Sequence, residues 1–251
     1  MPDENKLSGR VALVTGSAKR LGRVVAMRLA AEGADVVIHY SHSESEARDT
    51  VREIEKLGRR SIAISANLTS VPEIQNLVAQ TVNHLHRLDI LVNNAANFLE
   101  TKFGSTTEQS WDSSLDTNLK APFFVAQAAA PHLAKSGKGI IVNFADIGGI
   151  LGWREFLPHS VSKAGVILMT RILAKELAPA VRVNAIAPGT ITMPGDPPAW
   201  QSDFIRRAPL QRTGRPEEIA DAVLFLITAD FLTGQTLILD GGRSLSPDLR
   251  T

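Results

Sequence analysis

The chain has no cysteine, which excludes a disulfide framework, a thiolate zinc site and a cysteine nucleophile. It also has no apolar run of about 18 residues, so no transmembrane helix and no membrane partner are predicted. The first residues lack the basic and apolar regions of a signal peptide, and we therefore expect a cytoplasmic protein. Neither sign of charge dominates, because 27 basic residues stand against 26 acidic ones. This balance gives no reason to expect nucleic acid as a partner.

What the sequence does contain is an alternation of short apolar segments with longer amphipathic ones. Strands are predicted at residues 11–15, 35–40, 61–65, 90–93, 140–144, 181–187 and 236–239. Helices are predicted near residues 20–32, 44–57, 70–86, 108–135, 159–178 and 216–229. The alternation predicts the α/β fold class: a single-domain, Rossmann-like, doubly wound parallel sheet of seven strands with helices on both faces. Residues 193–200, rich in proline and glycine, are expected to form a loop that either walls a substrate or only connects elements.

The first predicted strand runs into a turn that contains Gly16 and Gly22, and a helix follows. Gly16 permits a tight turn, and Gly22 permits the helix to pack closely on the strand. Free N–H groups at the start of that helix would face a pyrophosphate. An ordinary strand–helix turn can also carry two glycines, but the position after the first strand favours a dinucleotide site.

The residues after the second predicted strand bear on the choice between NAD and NADP. NAD-selective dehydrogenases usually carry Asp or Glu there, which binds the ribose 2′-hydroxyl. Residues 39–43 contain no carboxylate that would repel a 2′-phosphate, and Arg20, His42 and Ser43 are candidates to bind one. We therefore predict NADP(H), although these side chains, His42 above all, would also suit a solvated loop.

Taken in order, several motifs resemble the short-chain dehydrogenase/reductase superfamily over essentially the whole chain. They are Thr15-Gly16 with Gly22, Asn93-Asn94-Ala95-Ala96, Asn118, Lys163, the segment 184–189, and Gly234 with Asp240-Gly241-Gly242. The resemblance implies one oxidoreductase domain over residues 1–251, with a cofactor-binding part at about 8–150 and a catalytic and substrate part at about 140–245. It also implies a homotetramer in which the helices near 108–135 and 159–178 form a dimer face.

Within the superfamily the chain resembles the pteridine reductases more than the acyl-carrier-protein ketoreductases. Arg20 stands where most members have glycine, Phe98 matches an aromatic residue that stacks on a pterin, and Asp146 matches a catalytic aspartate. Residues 239–245 are similar as well. The resemblance implies NADPH-dependent reduction of a pterin C=N bond. The segments 188–192 and 215–219 are generic and favour the alternative, a 3-oxoacyl or general ketone reductase.

The superfamily's Tyr-x-x-x-Lys dyad is altered, because His159 lies four residues before Lys163. The interval of thirteen residues from Asp146 to His159 equals that of pteridine reductases, which sets the register. On a predicted helix His159 and Lys163 share one face, and histidine exchanges protons near neutral pH. Either His159 delivers the proton, with Asp146 and Lys163 beside it, or the chain is a weak or inactive cofactor-binding homologue. The core-facing side of this helix is predicted to be Val161, Ala164, Leu168 and Ile172, with Lys163 partly buried beside it.

Asn118 lies four residues before Pro122 in one predicted helix. Because proline has no N–H, the carbonyl of Asn118 loses its partner and the helix should kink. A free carbonyl can hold a water, and the resemblance implies a water of the proton relay at this place. A kink with a solvated carbonyl is the alternative.

These motifs and the resemblance together imply the following site. The catalytic candidates are Asn118, Asp146, His159 and Lys163. The substrate contacts are Arg20, Phe98, Asp146 and His159, with Trp153, Phe156 and Trp200 as further pocket walls or ordinary core and surface residues. The NADP(H) contacts are Gly16, Lys19, Arg20, Leu21, Gly22, His39, Tyr40, Ser41, Ser43, Asn67, Leu68, Asn94, Ala95, Ala96, Lys163, Pro188, Gly189 and Thr190. Among them, Asn67 replaces the aspartate that usually meets the adenine amino group, and its side-chain oxygen is expected to accept there. No metal is expected.

Overall fold

A single parallel sheet of seven strands forms the centre of the computed structural model, which describes residues 5–196 and 199–245, apart from the side chains of residues 199 and 200. The strands are β1 (Val11–Val14), β2 (Asp35–Tyr40), β3 (Ser61–Ser65), β4 (Ile90–Asn93), β5 (Gly139–Phe144), β6 (Val181–Pro188) and β7 (Thr236–Leu239). They are ordered β3-β2-β1-β4-β5-β6-β7. The strand order reverses between β1 and β4, and ligands of such sheets bind where it reverses, beyond the carboxyl ends of the strands. The predicted fold class is confirmed.

Helices cover both faces of the sheet. They are α1 (Arg20–Ala31), α2 (Glu44–Lys56), α3 (Val71–Leu85), α4 (Glu108–Leu115), α5 (Ala121–Lys135), α6 (Gly148–Leu151), α7 (Leu157–Leu177), α8 (Ala199–Arg207) and α9 (Pro216–Thr228). The sequence predicted neither α6, which is only one turn long, nor α8, which begins inside the stretch rich in proline and glycine. Along the described ranges, no helix is both long and apolar enough to cross a membrane.

The predicted helix near residues 108–135 is interrupted at the predicted place. A π-helical turn, Asp116–Lys120, separates α4 from α5, and Pro122 is in the first turn of α5. The N–H that would close the α-helical bond to the carbonyl of Asn118 does not exist in proline. The prediction of a distortion at Asn118 is therefore confirmed, in the form of a π-turn.

Alternate residues of the central strands pack against opposite helical layers. Ala12 and Val14 belong to one cluster of buried apolar residues, which includes α1 and α9. Val11 and Leu13 belong to the other, which includes α3 and α5. Because both faces of β1 are buried, the strand reads as a continuous apolar run, as parallel strands do. This packing holds the ends of β1, β4 and β5 side by side at one edge of the sheet.

The prediction for the core-facing side of α7 is wrong. Val161, Leu168 and Ile172 are 44%, 58% and 55% exposed, and Ala164 is exposed as well. The buried side consists of His159, Ser162, Lys163, Val166, Met169, Thr170 and Ala174. Helix α7 carries apolar residues on more than one side, so periodicity alone does not identify the side that meets the sheet. We call Val161, Ala164, Leu168 and Ile172 the α7 stripe.

Candidate active site

The turn after β1 leaves no room for a side chain at Gly22. A Cβ there would lie 2.3 Å from the carbonyl oxygen of Gly16 and 2.5 Å from Nδ2 of Asn94. Gly16 adopts a φ of +63°, a conformation that favours glycine. Nδ2 of Asn94 donates to the carbonyls of Thr15 and Gly16 at 2.9 and 3.1 Å. Asn94, predicted as a cofactor contact, thus ties the turn to the end of β4.

The first turn of α1 suits an anion. Lys19, the residue before the helix, makes no side-chain cap, and the first turn contains no acidic residue. The amides at the start of this helix therefore have no side-chain acceptor, and the oxygens of a phosphate can accept their hydrogen bonds. Lys19 and Arg20 are exposed beside them, with Leu21 half-buried. An anionic dinucleotide fits this donor set.

Arg20 has a partner that the sequence did not indicate. Its Nη2 lies 2.9 Å from Oδ1 of Asp196, and the two side chains are 55% and 12% exposed. Asp196 also accepts a hydrogen bond from the N–H of Met193. The ion pair joins the turn after β1 to the start of the loop predicted at residues 193–200. Residues 197 and 198 and the side chain of Trp200, a predicted pocket wall, lie outside the described residues.

The prediction that His39 lines the cofactor surface does not fit its burial. The residue is 2% exposed, its Nδ1 accepts from the N–H of Gly16 at 2.9 Å, and its Nε2 lies 3.0 Å from the carbonyl oxygen of Ala66. Alternation along β2 turns this ring into the protein, so its nitrogens bind main-chain groups. Tyr40 and Ser43 are half-buried and Ser41 is exposed, and Ser43 makes no side-chain cap on α2.

At the predicted adenine position, the side-chain oxygen of Asn67 has partners within its own turn. Its Oδ1, expected to accept from adenine, accepts from the N–H and the hydroxyl of Thr69 at 3.0 and 2.9 Å. Leu68 is 9% exposed, Ala95 is half-buried and Ala96 is exposed. The short side chains of Ala95 and Ala96 leave the backbone of this edge accessible.

Asn118, in the π-turn, is 1% exposed and bonded to the main chain of Asn97. Its Oδ1 accepts from the N–H of Asn97 at 2.8 Å, and its Nδ2 donates to the carbonyl of Asn97 at 3.1 Å. Sequence reasoning missed Asn97, because its contribution comes from backbone groups that carry no sequence signal. The pair fixes the segment after β4 against the π-turn.

His159 is 3% exposed and lies against this pair. Its Nδ1 is 3.3 Å from the carbonyl oxygen of Asn97 and 3.5 Å from Nδ2 of Asn118. With a proton on Nδ1 the ring donates to the carbonyl of Asn97, and without one Nδ1 accepts from Nδ2 of Asn118. Nε2 is 3.7 Å from Oδ2 of Asp146 and has no hydrogen-bond partner among the described residues. The neutral ring with its proton on Nδ1 presents a lone pair at Nε2, and the protonated ring presents an N–H there.

Asp146 follows β5 and is held by its own turn. Its Oδ1 accepts from the N–H of Gly148 at 2.5 Å, which leaves Oδ2 directed toward His159. The side chain is 22% exposed. A carboxylate in this position stabilises a positive imidazole beside it.

Lys163 lies one turn after His159 on α7 and is 4% exposed. Its Nζ donates to the carbonyl oxygen of Phe144 at 2.7 Å. Burial lowers the pKa of Lys163 to about 8, and the nearby charge of Asp146 acts against that effect. The lysine was predicted to be partly buried, and the structure encloses it fully.

Two rings contact the imidazole and a third packs on both of them, and we call Phe98, Trp153 and Phe156 the aromatic wall. Phe98 stacks on Phe156 with centroids 4.1 Å apart and meets His159 edge-on at 4.7 Å. The ring of Trp153 is parallel to that of His159 within 5°, at 6.1 Å. Phe98 is 53% exposed, so part of its ring is open to a ligand. The sequence left Trp153 and Phe156 undecided between pocket and core, and the structure brings Trp153 to His159 and Phe156 to Phe98 and Trp153.

The segment after β6 adjoins the same edge of the sheet. The carbonyl of Pro188 accepts from the N–H of Ile147, next to Asp146, at 3.2 Å. A Cβ at Gly189 would lie 2.7 Å from the ring of Phe204, so only glycine fits there. Thr190 is half-buried. The structure thus gathers the predicted catalytic residues in one place and the predicted phosphate-binding residues at the neighbouring strand ends.

A doubly wound parallel sheet, a glycine turn before the first helix and a buried lysine near the end of β5 define a dinucleotide-dependent oxidoreductase of Rossmann type. A family model described as enoyl-(acyl carrier protein) reductase matches residues 16–244. The chain belongs to the short-chain dehydrogenase/reductase superfamily.

Relatives with assigned names are similar over nearly their whole length. The chain is 39% identical over 248 residues to a Streptomyces violaceoruber protein named as ketoacyl reductase 2 of the granaticin polyketide synthase, covering 94% of this chain and 96% of the relative. It is 37% identical over 240 residues to the 3-oxoacyl-[acyl-carrier-protein] reductase of Synechocystis sp., covering 94% and 97%. A short chain dehydrogenase from Burkholderia cenocepacia J2315, solved in complex with NADP, is 34% identical with a TM-score of 0.91, covering 95% of this chain and 99% of that chain.

Proposed function

We propose that this protein is an NADPH-dependent reductase of ketone groups, in which His159 delivers the proton to the carbonyl oxygen. The observation that carries the proposal is Nε2 of His159, a buried polar atom beside Asp146 with no hydrogen-bond partner among the described residues. A buried nitrogen of this kind costs free energy unless a ligand completes its bonding. The oxygen of a ketone, or of the alcohol formed from it, is a suitable partner.

The cofactor proposal rests on the first turn of α1 and the end of β2. Main-chain amides, Lys19 and Arg20 would hold the pyrophosphate and add positive charge. Ser43, which makes no side-chain cap, would contact the 2′-phosphate, and Lys163 would contact the nicotinamide ribose. The neighbour solved with NADP supports the same choice. When bound, NADPH supplies the hydride that reduces the carbonyl carbon.

The remaining step is a proton transfer from His159 to the substrate. The N–H at Nε2 of a protonated His159 gives its proton to the substrate oxygen, and the alcohol forms with a neutral imidazole left behind. Asp146 stabilises the positive ring before transfer, and the carbonyl of Asn97 keeps the second proton on Nδ1. His159 is protonated again at Nε2 before the next turnover. The chain's only tyrosine is Tyr40, at the end of β2, so no tyrosine elsewhere takes over this role.

The relatives' names favour a 3-oxoacyl or related ketone as the substrate. The aromatic wall favours a second candidate, a pterin reduced at C=N, because the open part of Phe98 can stack on a flat ring. Acetoacetyl-CoA, a cyclic ketone and dihydrobiopterin, each assayed by loss of NADPH absorbance, separate the two. Turnover of the ketones alone supports the first proposal, and turnover of the pterin alone overturns it in favour of the second.

A third candidate function is that of a cofactor-binding protein with little or no turnover. It is favoured because His159 stands where the Tyr-x-x-x-Lys dyad has tyrosine. His159→Tyr restores the superfamily's dyad and so tests this candidate. If wild type is inert with every substrate while His159→Tyr turns over, the native chain is a binder. If wild type turns over and His159→Phe does not, the imidazole is the acid.

We also propose that the chain forms a homotetramer. The α7 stripe is a row of exposed apolar side chains on the helix that carries His159 and Lys163. Large exposed apolar patches mark surfaces that partners cover. We expect light scattering to give a tetramer for wild type, and Leu168→Glu to shift it to smaller species. An unchanged mass in that variant would place the interface elsewhere.

A further inference from the structure

The buried ring of His39 has no part in the proton transfer described above, yet it lies between two segments of the predicted cofactor site. Its Nδ1 accepts from the N–H of Gly16 at 2.9 Å, and its Nε2–H donates to the carbonyl of Ala66 at 3.0 Å. Gly16 belongs to the turn after β1, and Ala66 directly precedes Asn67 and Leu68 at the predicted adenine position. One side chain therefore joins the phosphate end of the site to its adenine end.

The main chain of His39 reinforces the same connection. Its carbonyl accepts from the N–H of Ser17 at 3.0 Å, and its N–H donates to Oγ of Ser17 at 3.2 Å. The turn after β1 is thus bonded to His39 at Gly16 and at Ser17. Among the described residues, both hydrogen-bond partners of this ring are uncharged main-chain groups.

The two ring contacts require one protonation state. Nδ1 must be free of a proton to accept from Gly16, and Nε2 must carry one to donate to Ala66. Burial lowers the pKa of His39 to about 4, which keeps the ring neutral at neutral pH. Since the N–H of Gly16 is satisfied by His39, the amides at the start of α1 are the ones left for a phosphate. The ring thereby sets which backbone donors face the cofactor.

We propose that His39 is a positioning residue of the cofactor site, whose imidazole holds the turn at Gly16 and the segment at Ala66 at the spacing that an adenine dinucleotide phosphate requires. The inference rests on the proposed NADP(H) cofactor and is independent of the substrate. His39 touches neither the reacting atoms nor the aromatic wall, so its loss should change cofactor binding and leave the chemical step intact.

The test compares three variants of the full chain by calorimetric titration with NADP+ and by steady-state kinetics. His39→Leu removes both ring hydrogen bonds, and His39→Gln keeps one donor and one acceptor. Ile54→Ala is the matched control, because Ile54 is fully buried in α2 and lies outside the predicted site. The urea midpoint of each variant without cofactor reports its stability.

We expect His39→Leu to weaken NADP+ binding by about tenfold or more, with kcat at saturating NADPH within twofold of wild type. His39→Gln should recover most of the affinity, and Ile54→Ala should lower the urea midpoint while the NADP+ Kd stays within twofold. An NADP+ Kd in His39→Leu equal to that of wild type would overturn the inference about His39. So would a Kd in Ile54→Ala that weakens in proportion to its lost stability. Neither outcome would affect the cofactor proposal. If His39→Leu does not fold, His39→Asn replaces it, because its shorter amide cannot reach both Gly16 and Ala66. An NADP+ Kd weakened by about tenfold relative to His39→Gln then supports the proposal, and equal Kd values for the two variants overturn it. Absence of NADP+ binding in wild type would overturn the cofactor proposal itself.

Discussion

Burial of the charged Lys163 should lower the protein's free energy of unfolding by a measurable amount. The residue is 4% exposed, and the pKa of its ammonium falls from the usual 10.5 to about 8 because burial disfavours the charge. A fall of this size corresponds to about 3 kcal/mol of unfavourable free energy for the charged form at neutral pH. Lys163→Met has a similar length and no charge, and it also loses the hydrogen bond to Phe144, a loss of about 1 kcal/mol. We therefore expect the variant to be more stable at pH 7 by about 2 kcal/mol.

The pH dependence gives the sharper test. Since the folded chain releases this proton near pH 8 and the unfolded chain near 10.5, the unfolded state binds more protons between those values. Stability of wild type then rises with pH across that window, relative to a variant without the amine. The stability difference between wild type and Lys163→Met should shift by about 2 kcal/mol between pH 7 and pH 9.5, in favour of wild type.

Urea unfolding without cofactor at both pH values measures this difference. Lys175→Met is the control, because Lys175 lies in the last turn of the same helix and is exposed. The control should show no comparable change between the two pH values. A stability difference for Lys163→Met that is the same at pH 7 and pH 9.5 would refute the reasoning. The stabilised variant should also lose most of its turnover, because Lys163 belongs to the proposed site.

Three further outcomes are expected. His159→Phe should lower kcat by about 100-fold or more while the NADPH Kd stays within about threefold, since the ring supplies the proton and not the cofactor contact; equal rates for both proteins would exclude proton donation. Phe98→Ala should raise the KM for ring-shaped substrates by about tenfold, because the stacking contact is lost. The KM for a small acyclic ketone should not change, and equal effects on both substrates would contradict a stacking role. Arg20→Gln should weaken NADPH binding by about tenfold and reduce its salt dependence. Asp196→Asn should change stability by less than about 1 kcal/mol, because the Arg20 partner of the ion pair is 55% exposed to solvent; a large stability loss in Asp196→Asn, measured by urea unfolding, would show that the ion pair holds the loop.

The fold could be predicted because local patterns carry most of its information. Each strand is a short apolar run, and four of the seven strands have the predicted bounds, with β1, β5 and β6 differing by one residue at an end. Pro122 located the distortion at Asn118 for a purely covalent reason, the missing N–H. Gly16 and Gly22 located the phosphate turn because no other side chain fits there.

The candidate site was predictable in its chemistry and less so in its geometry. Asn118, Asp146, His159 and Lys163 were named from the sequence, and the structure brings them to one edge of the sheet. The direction of the His39 ring was not predictable, since it depends on which face of β2 meets the turn. Asp196 was missed because its partner, Arg20, is 176 residues away in the chain.

The sequence by itself determined the order of the strands and of the longer helices, the glycine turn, the distortion at Asn118 and the identity of the polar groups, because each depends on covalent structure or on short-range periodicity. Only the tertiary structure decided which side of α7 is buried, how the aromatic wall surrounds His159, and that the nitrogens of His39 are bonded inside the protein. These features depend on contacts between residues far apart in the chain, where packing and burial select one arrangement among several that the local pattern permits.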